Sequence, residues 1–190
     1  MAATPVHRRR WVFAAGFTLV EAMVCVAILG IALATGVPAL AAMIEGMKVR
    51  TASYAFIGSM QLARTEAMRR GSRVAMCKSR DGMGCTADGG WQQGWLVFHD
   101  PNRNGRLDGG EAVIERHPGY PGKLVFTGNQ PTAQIITYSP LGPPRTVVGA
   151  LLAGTLTVCN RSVDPVRARQ IVVSRTGRVR MQEVTVPSCG

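Results

Sequence analysis

Residues 100–111, DPNRNGRLDGGE, have oxygen-bearing side chains at the spacing of a calcium-binding loop, with a glycine at the sharp turn. Two arginines inside the segment, Arg103 and Arg106, would oppose a bound cation, and the flanking residues favour strands rather than helices. Asp, Asn and Gly also suit a tight β-connection. We therefore expect a structural hairpin turn that holds no metal, with calcium binding as the alternative. The candidate oxygen ligands are Asp100, Asn102, Asn104, Asp108 and Glu111.

A second candidate group is basic. Six arginines and one acid, Asp164, lie between positions 161 and 180. Arg178 and Arg180 are two positions apart in a predicted strand and so share one face, about 6.6 Å apart, beside a glycine that permits a turn. Guanidinium groups suit phosphate oxygens, so these arginines could hold a phosphodiester backbone without reading its sequence. The alternative is a solvated edge strand with ordinary surface charge. The candidate set is Arg167, Arg169, Arg175, Gly177, Arg178 and Arg180.

Four of the five cysteines, Cys77, Cys85, Cys159 and Cys189, follow the apolar N-terminal segment, which holds Cys25. An even set in a small exported domain indicates two disulfides, and four cysteines allow three pairings. We favour Cys77–Cys85 and Cys159–Cys189, because each pair brackets one predicted hairpin. Four reduced, buried thiols are the alternative.

The sequence does not predict an enzyme or a bound cofactor. Its three histidines, His7, His99 and His117, stand beside charged residues or proline, and we expect them at the surface. No nucleophile motif, phosphate-binding loop or dinucleotide fingerprint accompanies them. Trp91 and Trp95 precede or open a predicted strand, where we expect core side chains rather than a platform for stacking bases.

These candidates must be positioned by one long helix and a set of strands. Residues 22–44 contain no Asp, Glu, Lys or Arg. This apolar segment is long enough to span a bilayer as a helix. Apolar residues then recur at helical spacing on one face, while Lys48, Arg50, Arg64 and Arg69 lie elsewhere. Gly71 suits the helix end. We predict a helix over residues 17–70. Its core-facing residues are Val49, Phe56, Met60, Ala63 and Ala67.

The remaining chain predicts strands separated by Gly, Pro, Asn or Asp. The fold class is therefore α+β, a long N-terminal helix, first transmembrane and then amphipathic, packed on a mainly antiparallel β domain. Pro140, Pro143 and Pro144 indicate one long loop. The predicted strands are 73–77, 94–99, 112–116, 123–127, 134–138, 155–159, 169–174 and 178–184.

Glu21 is an anomaly, since a carboxylate in hydrocarbon costs about 3 kcal/mol. Cleavage between Gly16 and Phe17 would create an amino terminus about 6 Å from it along a helix. In an assembly, the carboxylate of one subunit could meet the amine of the next. Arg8, Arg9 and Arg10 precede the apolar segment, so the chain end should stay in the cytoplasm and the domain outside it.

The sequence GFTLVE at residues 16–21 resembles the class III signal of type IV pilins and type II secretion pseudopilins. That resemblance implies that a prepilin peptidase cleaves after Gly16 and methylates Phe17, and that Glu21 guides docking into a filament. Pro38 falls where pilins have a helix-kinking proline. It also implies a leader at residues 1–16, a transmembrane helix part at 17–44 and a periplasmic domain at 45–190, held in the inner membrane before assembly into a pilus or pseudopilus with other pilins.

Later segments resemble the GspH/FimT branch of minor pilins. They are GGWQQGWLVFHDPNRNGRLDGGEAVIERH, LARTEAMRRG at the helix end, and Cys159 with RARQIVVSRTGRVR. FimT-like pilins of competent bacteria use a G-R-x-R element as DNA receptors, which Gly177, Arg178 and Arg180 match. The net charge of +11 falls only to +8 without the three leader arginines. The resemblance thus implies a type IV pilus subunit that binds DNA for uptake, or alternatively an H-type pseudopilin for protein export without a DNA role. Basic contacts to other pilins would also explain these arginines.

Overall fold

The structure, a computed structural model, describes residues 16–161 and 166–189. Its long helix, α1, runs Leu19–Arg70. The helix begins two residues later than predicted because Thr18 caps it: the Thr18 hydroxyl accepts a hydrogen bond from the Glu21 N–H at 3.3 Å. It ends at Gly71, whose φ is +60°, and the Ser72 N–H bonds back to the Ala67 carbonyl at 3.3 Å.

The chain forms two compact units, one ending at Ala41 and the other beginning at Ala42. In the first unit the described side chains are exposed, and Pro38 lies inside the helix. Among the described residues, one helix, α1, is long and apolar enough to cross a membrane. Leader residues 1–15 lie outside the described range.

The second unit combines the rest of α1 with two antiparallel sheets, which confirms the α+β prediction. One sheet has the strand order β3-β2-β1-β5-β6 and the other β4-β7-β8-β9. A short edge strand, β6, lies in the segment predicted as an uninterrupted loop. The strands are β1 Val74–Lys78, β2 Gly94–His99, β3 Val113–Pro118, β4 Leu124–Gly128, β5 Ile135–Tyr138, β6 Pro144–Arg145, β7 Gly154–Asn160, β8 Val166–Val173 and β9 Val179–Val186.

Both sheets pack their inner faces on one side of α1, and the five predicted core residues of the helix are all buried. Phe56 lies at the centre of this core. Its ring makes edge contacts with Trp91 and Trp95, at centroid distances of 5.1 and 5.2 Å. Both tryptophans are fully buried, so neither offers a stacking surface to a nucleic acid base.

The outer sheet faces carry smaller apolar clusters, each containing a disulfide. Cys77 is bonded to Cys85 beside Leu96 and Phe98, and Cys159 is bonded to Cys189 beside Val125 and Ala168. These are the two pairs that the positions of the hairpins favour. The second disulfide ties the C-terminal segment to the outer face of the β4-β7-β8-β9 sheet.

Candidate nucleic-acid interface

A tight turn at residues 174–178, here called the basic turn, joins β8 to β9. The Ser174 N–H donates to the Arg178 carbonyl at 3.0 Å, and the Gly177 N–H donates to the Ser174 carbonyl at 2.9 Å. Gly177 has φ +82°, the left-handed conformation that a short hairpin loop of this kind requires. The Ser174 hydroxyl also accepts the Arg178 N–H at 3.0 Å. The turn thus has a defined backbone conformation.

Three candidate arginines lie together at this end of the hairpin, and all three are exposed. Arg175 and Arg178 belong to the basic turn, and Arg180 follows in β9, one of the two edge strands of its sheet. Arg180 lies opposite Val172 in the register, on the sheet face that points away from α1. Exposed guanidinium groups at an open edge are accessible to an extended anionic ligand.

The other two arginines of the candidate set, Arg167 and Arg169, do not continue this group. Arg169 lies opposite Glu183 and forms an ion pair with it at 3.0 Å. Register places Arg169 on the same sheet face as the buried Ile171, the face opposite to Arg180. Arg167 is exposed two residues further along β8, away from the turn. Because side chains alternate between the two faces of a strand, Arg169 and Arg180 point to opposite faces of the sheet although they are close in the sequence.

A further arginine, Arg64 of α1, lies beside the buried face of the helix and contacts the basic turn. Its Nη1 donates to the Gly177 carbonyl at 3.1 Å and its Nη2 to the Thr176 carbonyl at 3.4 Å. The side chain is half-buried. Sequence analysis missed this role because the partners lie more than a hundred positions away, and no local pattern links them.

The electrostatic character of this region is strongly positive. No Asp or Glu occurs between residues 165 and 182, and the acid that follows, Glu183, is already paired with Arg169. Arg64, Arg175, Arg178 and Arg180 therefore concentrate four positive charges around one turn. Such a cluster favours an anion with several charged groups, such as a chain of phosphates.

The loop at residues 100–111 is closed by its own hydrogen bonds. The amide groups of Asn102 and Asn104 donate to the Asp108 carboxylate at 2.7 and 2.6 Å. Asp100 is buried and accepts the Gly105 N–H at 3.2 Å, while Leu107 packs on the outer face of the first sheet. Hydrogen bonds from the two amides hold the pKa of Asp108 below its ordinary value. Within the described residues, no cluster of three His, Cys, Asp or Glu side chains has metal-binding geometry.

The two histidines of the described chain, His99 and His117, are each partly exposed and partly packed. The His117 ring stacks on Trp95 with centroids 3.9 Å apart, and its Nδ1 lies 2.7 Å from the Pro118 carbonyl. His99 is the last residue of β2. The position of His117 is explained by this stacking on a core tryptophan.

The residues of the N-terminal signal are exposed in the structure. Gly16 and Phe17 precede the helix, and Glu21 stands in its first turn, where a negative charge is favourable towards the helix dipole. Thr18 and Glu21 also have the T-x-x-E spacing of a capping box, a signal in the sequence that indicates where the helix begins.

Comparison with known proteins identifies the family. A family model described as "Type II transport protein GspH" matches residues 52–177, and one described as "Prokaryotic N-terminal methylation motif" matches residues 13–37. Arg64 and most of the basic turn fall within the first range, while Arg178 and Arg180 lie beyond it.

Similar proteins are described as pilins. "Pilin-like protein PilA1" of Thermus thermophilus is 27% identical over 168 residues, covering 88% of this chain and 97% of the relative. The type IV minor pilin FimU of Pseudomonas aeruginosa has the same fold in two crystal forms. One gives a TM-score of 0.55 at 19% identity and covers 78% of this chain and 99% of FimU. The other gives 0.52 at 19% identity, covering 74% and 99%. With a GspH match over most of its length and an N-terminal methylation motif, the chain belongs to the GspH family of pilin-like proteins.

Proposed function

We propose that this protein is a minor pilin of a type IV pilus that binds DNA for uptake through the basic turn and the start of β9. The observation that carries the proposal is the grouping of three exposed arginines, Arg175, Arg178 and Arg180, at one hairpin end that has no acid in its sequence. Binding would be electrostatic and independent of base sequence, since the contacts go to phosphates.

The salt dependence of such binding can be estimated from the number of arginines. Each phosphate that a protein neutralises contributes about −0.9 to the slope of log affinity against log salt. Three contacts give a slope of about −2.7, so the affinity would fall about 40-fold between about 50 and 200 mM salt. Arg169 would contribute less, because Glu183 already neutralises it.

The N-terminal segment supports assembly in the same proposal. A prepilin peptidase would cleave between Gly16 and Phe17 and methylate the new terminus, and the Glu21 carboxylate would pair with the amine of a neighbouring pilin. The apolar part of α1 would hold the chain in the inner membrane, with its domain in the periplasm, until the subunit enters the filament. Mass spectrometry of the protein from cells tests this, since a chain still starting at Met1 would contradict it.

The DNA-binding proposal is tested by replacing Arg178 and Arg180 with glutamine in the full-length chain, purified in a non-ionic detergent. A fluorescently labelled duplex is titrated at several salt concentrations. The double variant should bind more weakly, and its salt slope should shrink by about 1.8. The matched control replaces Arg80 and Arg106 with glutamine. Both arginines are exposed in loops beside the first sheet, so this double variant loses the same amount of charge. Equal losses in both double variants would show that only net charge matters and would refute a site at the turn.

An H-type pseudopilin of a type II secretion system is the second candidate function, favoured by the description of the matched family as a type II transport protein. In that case the basic turn would contact other subunits, and the domain would have no DNA role. Absence of duplex binding at low salt would leave this function and reject DNA uptake.

A further inference from the structure

We infer that Arg64 is a positioning residue for the DNA contact: it holds the basic turn against α1 so that Arg175 and Arg178 are presented in a fixed arrangement. This inference rests on the proposed DNA-binding function. It starts from one guanidinium group that donates to two consecutive carbonyls of the turn, at Thr176 and Gly177, over 3.4 and 3.1 Å. A planar fork that bonds two adjacent acceptors restricts both the position and the orientation of the turn.

Close packing around the guanidinium supports this role. A Cβ atom added at Gly177 would lie 3.2 Å from the Arg64 Cζ and 3.0 Å from the Gly142 carbonyl oxygen. One added at Gly142 would lie 3.3 Å from the Arg64 Nε. The guanidinium therefore lies between two glycines, one in the basic turn and one in the loop after β5. Side chains at either glycine would crowd it, so the site is shaped around Arg64.

The environment of Arg64 favours positioning over direct phosphate binding. Its side chain is half-buried, its Nε is buried without a hydrogen-bond partner, and its two Nη atoms donate to protein carbonyls. The neighbouring helix positions Ala63 and Ala67 are buried in the core, which fixes the base of the side chain. Ordering the turn before DNA arrives lowers the entropy loss on binding.

The test compares three variants of the full-length chain in non-ionic detergent. All of them keep residues 1–16, so they differ only at the substituted arginine. Arg64→Gln removes the fork and one charge. Arg64→Lys keeps the charge but replaces the planar fork with a point charge. Arg50→Gln is the matched control, because Arg50 is an exposed arginine of the same helix. Amide hydrogen exchange is followed at Ser174, Gly177 and Arg178, the turn residues with bonded N–H groups, and duplex affinity is measured against salt.

Arg64→Gln should accelerate exchange in the turn and weaken duplex binding about tenfold, with the salt slope unchanged because no phosphate contact is lost. Arg64→Lys should recover only part of the affinity, and Arg50→Gln should change neither readout substantially. Wild-type exchange in Arg64→Gln would overturn the inference. So would full recovery of affinity by lysine while exchange stays fast, since charge alone would then explain the effect.

Failure of the proposed function would look different. If the wild-type chain binds no duplex at low salt, DNA binding is rejected and with it the part of Arg64 in DNA binding. The hydrogen-exchange comparison would still decide whether Arg64 orders the basic turn.

Discussion

Replacing Gly177 with alanine should destabilise the protein more than the same replacement at Gly149, although both glycines have a left-handed backbone. Their φ angles are +82° and +90°. Both end similar turns, since each N–H donates to the carbonyl three residues earlier at 2.9 Å. An alanine in this conformation costs about 1–2 kcal/mol at either position. Gly149 is therefore a matched control for the backbone effect.

The two positions differ in what surrounds the new methyl group. At Gly149 no atom lies within 4 Å, whereas at Gly177 the methyl would lie 3.0 Å from the Gly142 carbonyl oxygen and 3.2 Å from the Arg64 Cζ. Forcing an extra methyl group into a packed site costs a further 1–3 kcal/mol, as a typical range. We expect a loss of about 1–2 kcal/mol for Gly149→Ala and about 2–5 kcal/mol for Gly177→Ala.

Chemical denaturation of the full-length chain, followed by tryptophan fluorescence, measures both losses. Hydrogen exchange at the basic turn should increase in Gly177→Ala, as in Arg64→Gln, and stay unchanged in Gly149→Ala. Equal losses of stability in the two alanine variants would refute the argument that Arg64 and the loop at Gly142 confine the turn. A faster exchange in both variants would refute it as well.

Three other predictions concern stability. Replacing Cys159 and Cys189 with serine should lower the free energy of unfolding by about 3.5 kcal/mol, against about 2.5 kcal/mol for replacing Cys77 and Cys85, because the two disulfides join residues 30 and 8 positions apart. Denaturation curves of both double variants would contradict this if the second loss were the larger. Hydrogen bonds from two arginines lower the pKa of Glu66 to about 2, so its carboxylate stabilises the fold above about pH 4.5 and loses that effect as the pH falls towards 2. Glu66→Gln should therefore lower the melting temperature at neutral pH and flatten its decline in acid, and an unchanged decline would reject the assignment. Phe56→Ala should lower the free energy of unfolding by about 3–5 kcal/mol, and a denaturation midpoint close to that of the wild type would contradict a central role for this ring.

The secondary structure could be predicted because its signals are local. Apolar residues at helical spacing and a terminal glycine indicate most of α1, and Gly, Pro, Asn and Asp mark the breaks between strands. The two-residue strand β6 was missed because proline suits a loop as well as a sheet edge. The start of α1 was placed two residues early, although the T-x-x-E spacing at Thr18 indicates the cap.

The candidate site was predicted only in part, because it depends on contacts between distant segments. The exposed positions of Arg178 and Arg180 follow from strand alternation and a glycine turn. The pairing of Arg169 with Glu183 depends on the β8–β9 register, which the turn length sets. Arg64 could not be assigned from the sequence, since an arginine on an amphipathic helix is ordinarily solvated and its partners are turn carbonyls.

The ion pairs of the described chain lie away from the arginines of the basic turn. In the described part of α1 beyond residue 41, both acids are engaged: Glu45 with Lys48 at 2.7 Å and Glu66 with two arginines. Glu183 of β9 is engaged with Arg169. No carboxylate of the described chain forms a salt bridge with the three exposed arginines of the hairpin end. These exposed side chains are therefore open to a ligand that brings its own negative charges, as the proposed function expects. In the proposed function a phosphate chain would supply those charges, whereas a neutral surface of a neighbouring subunit would not.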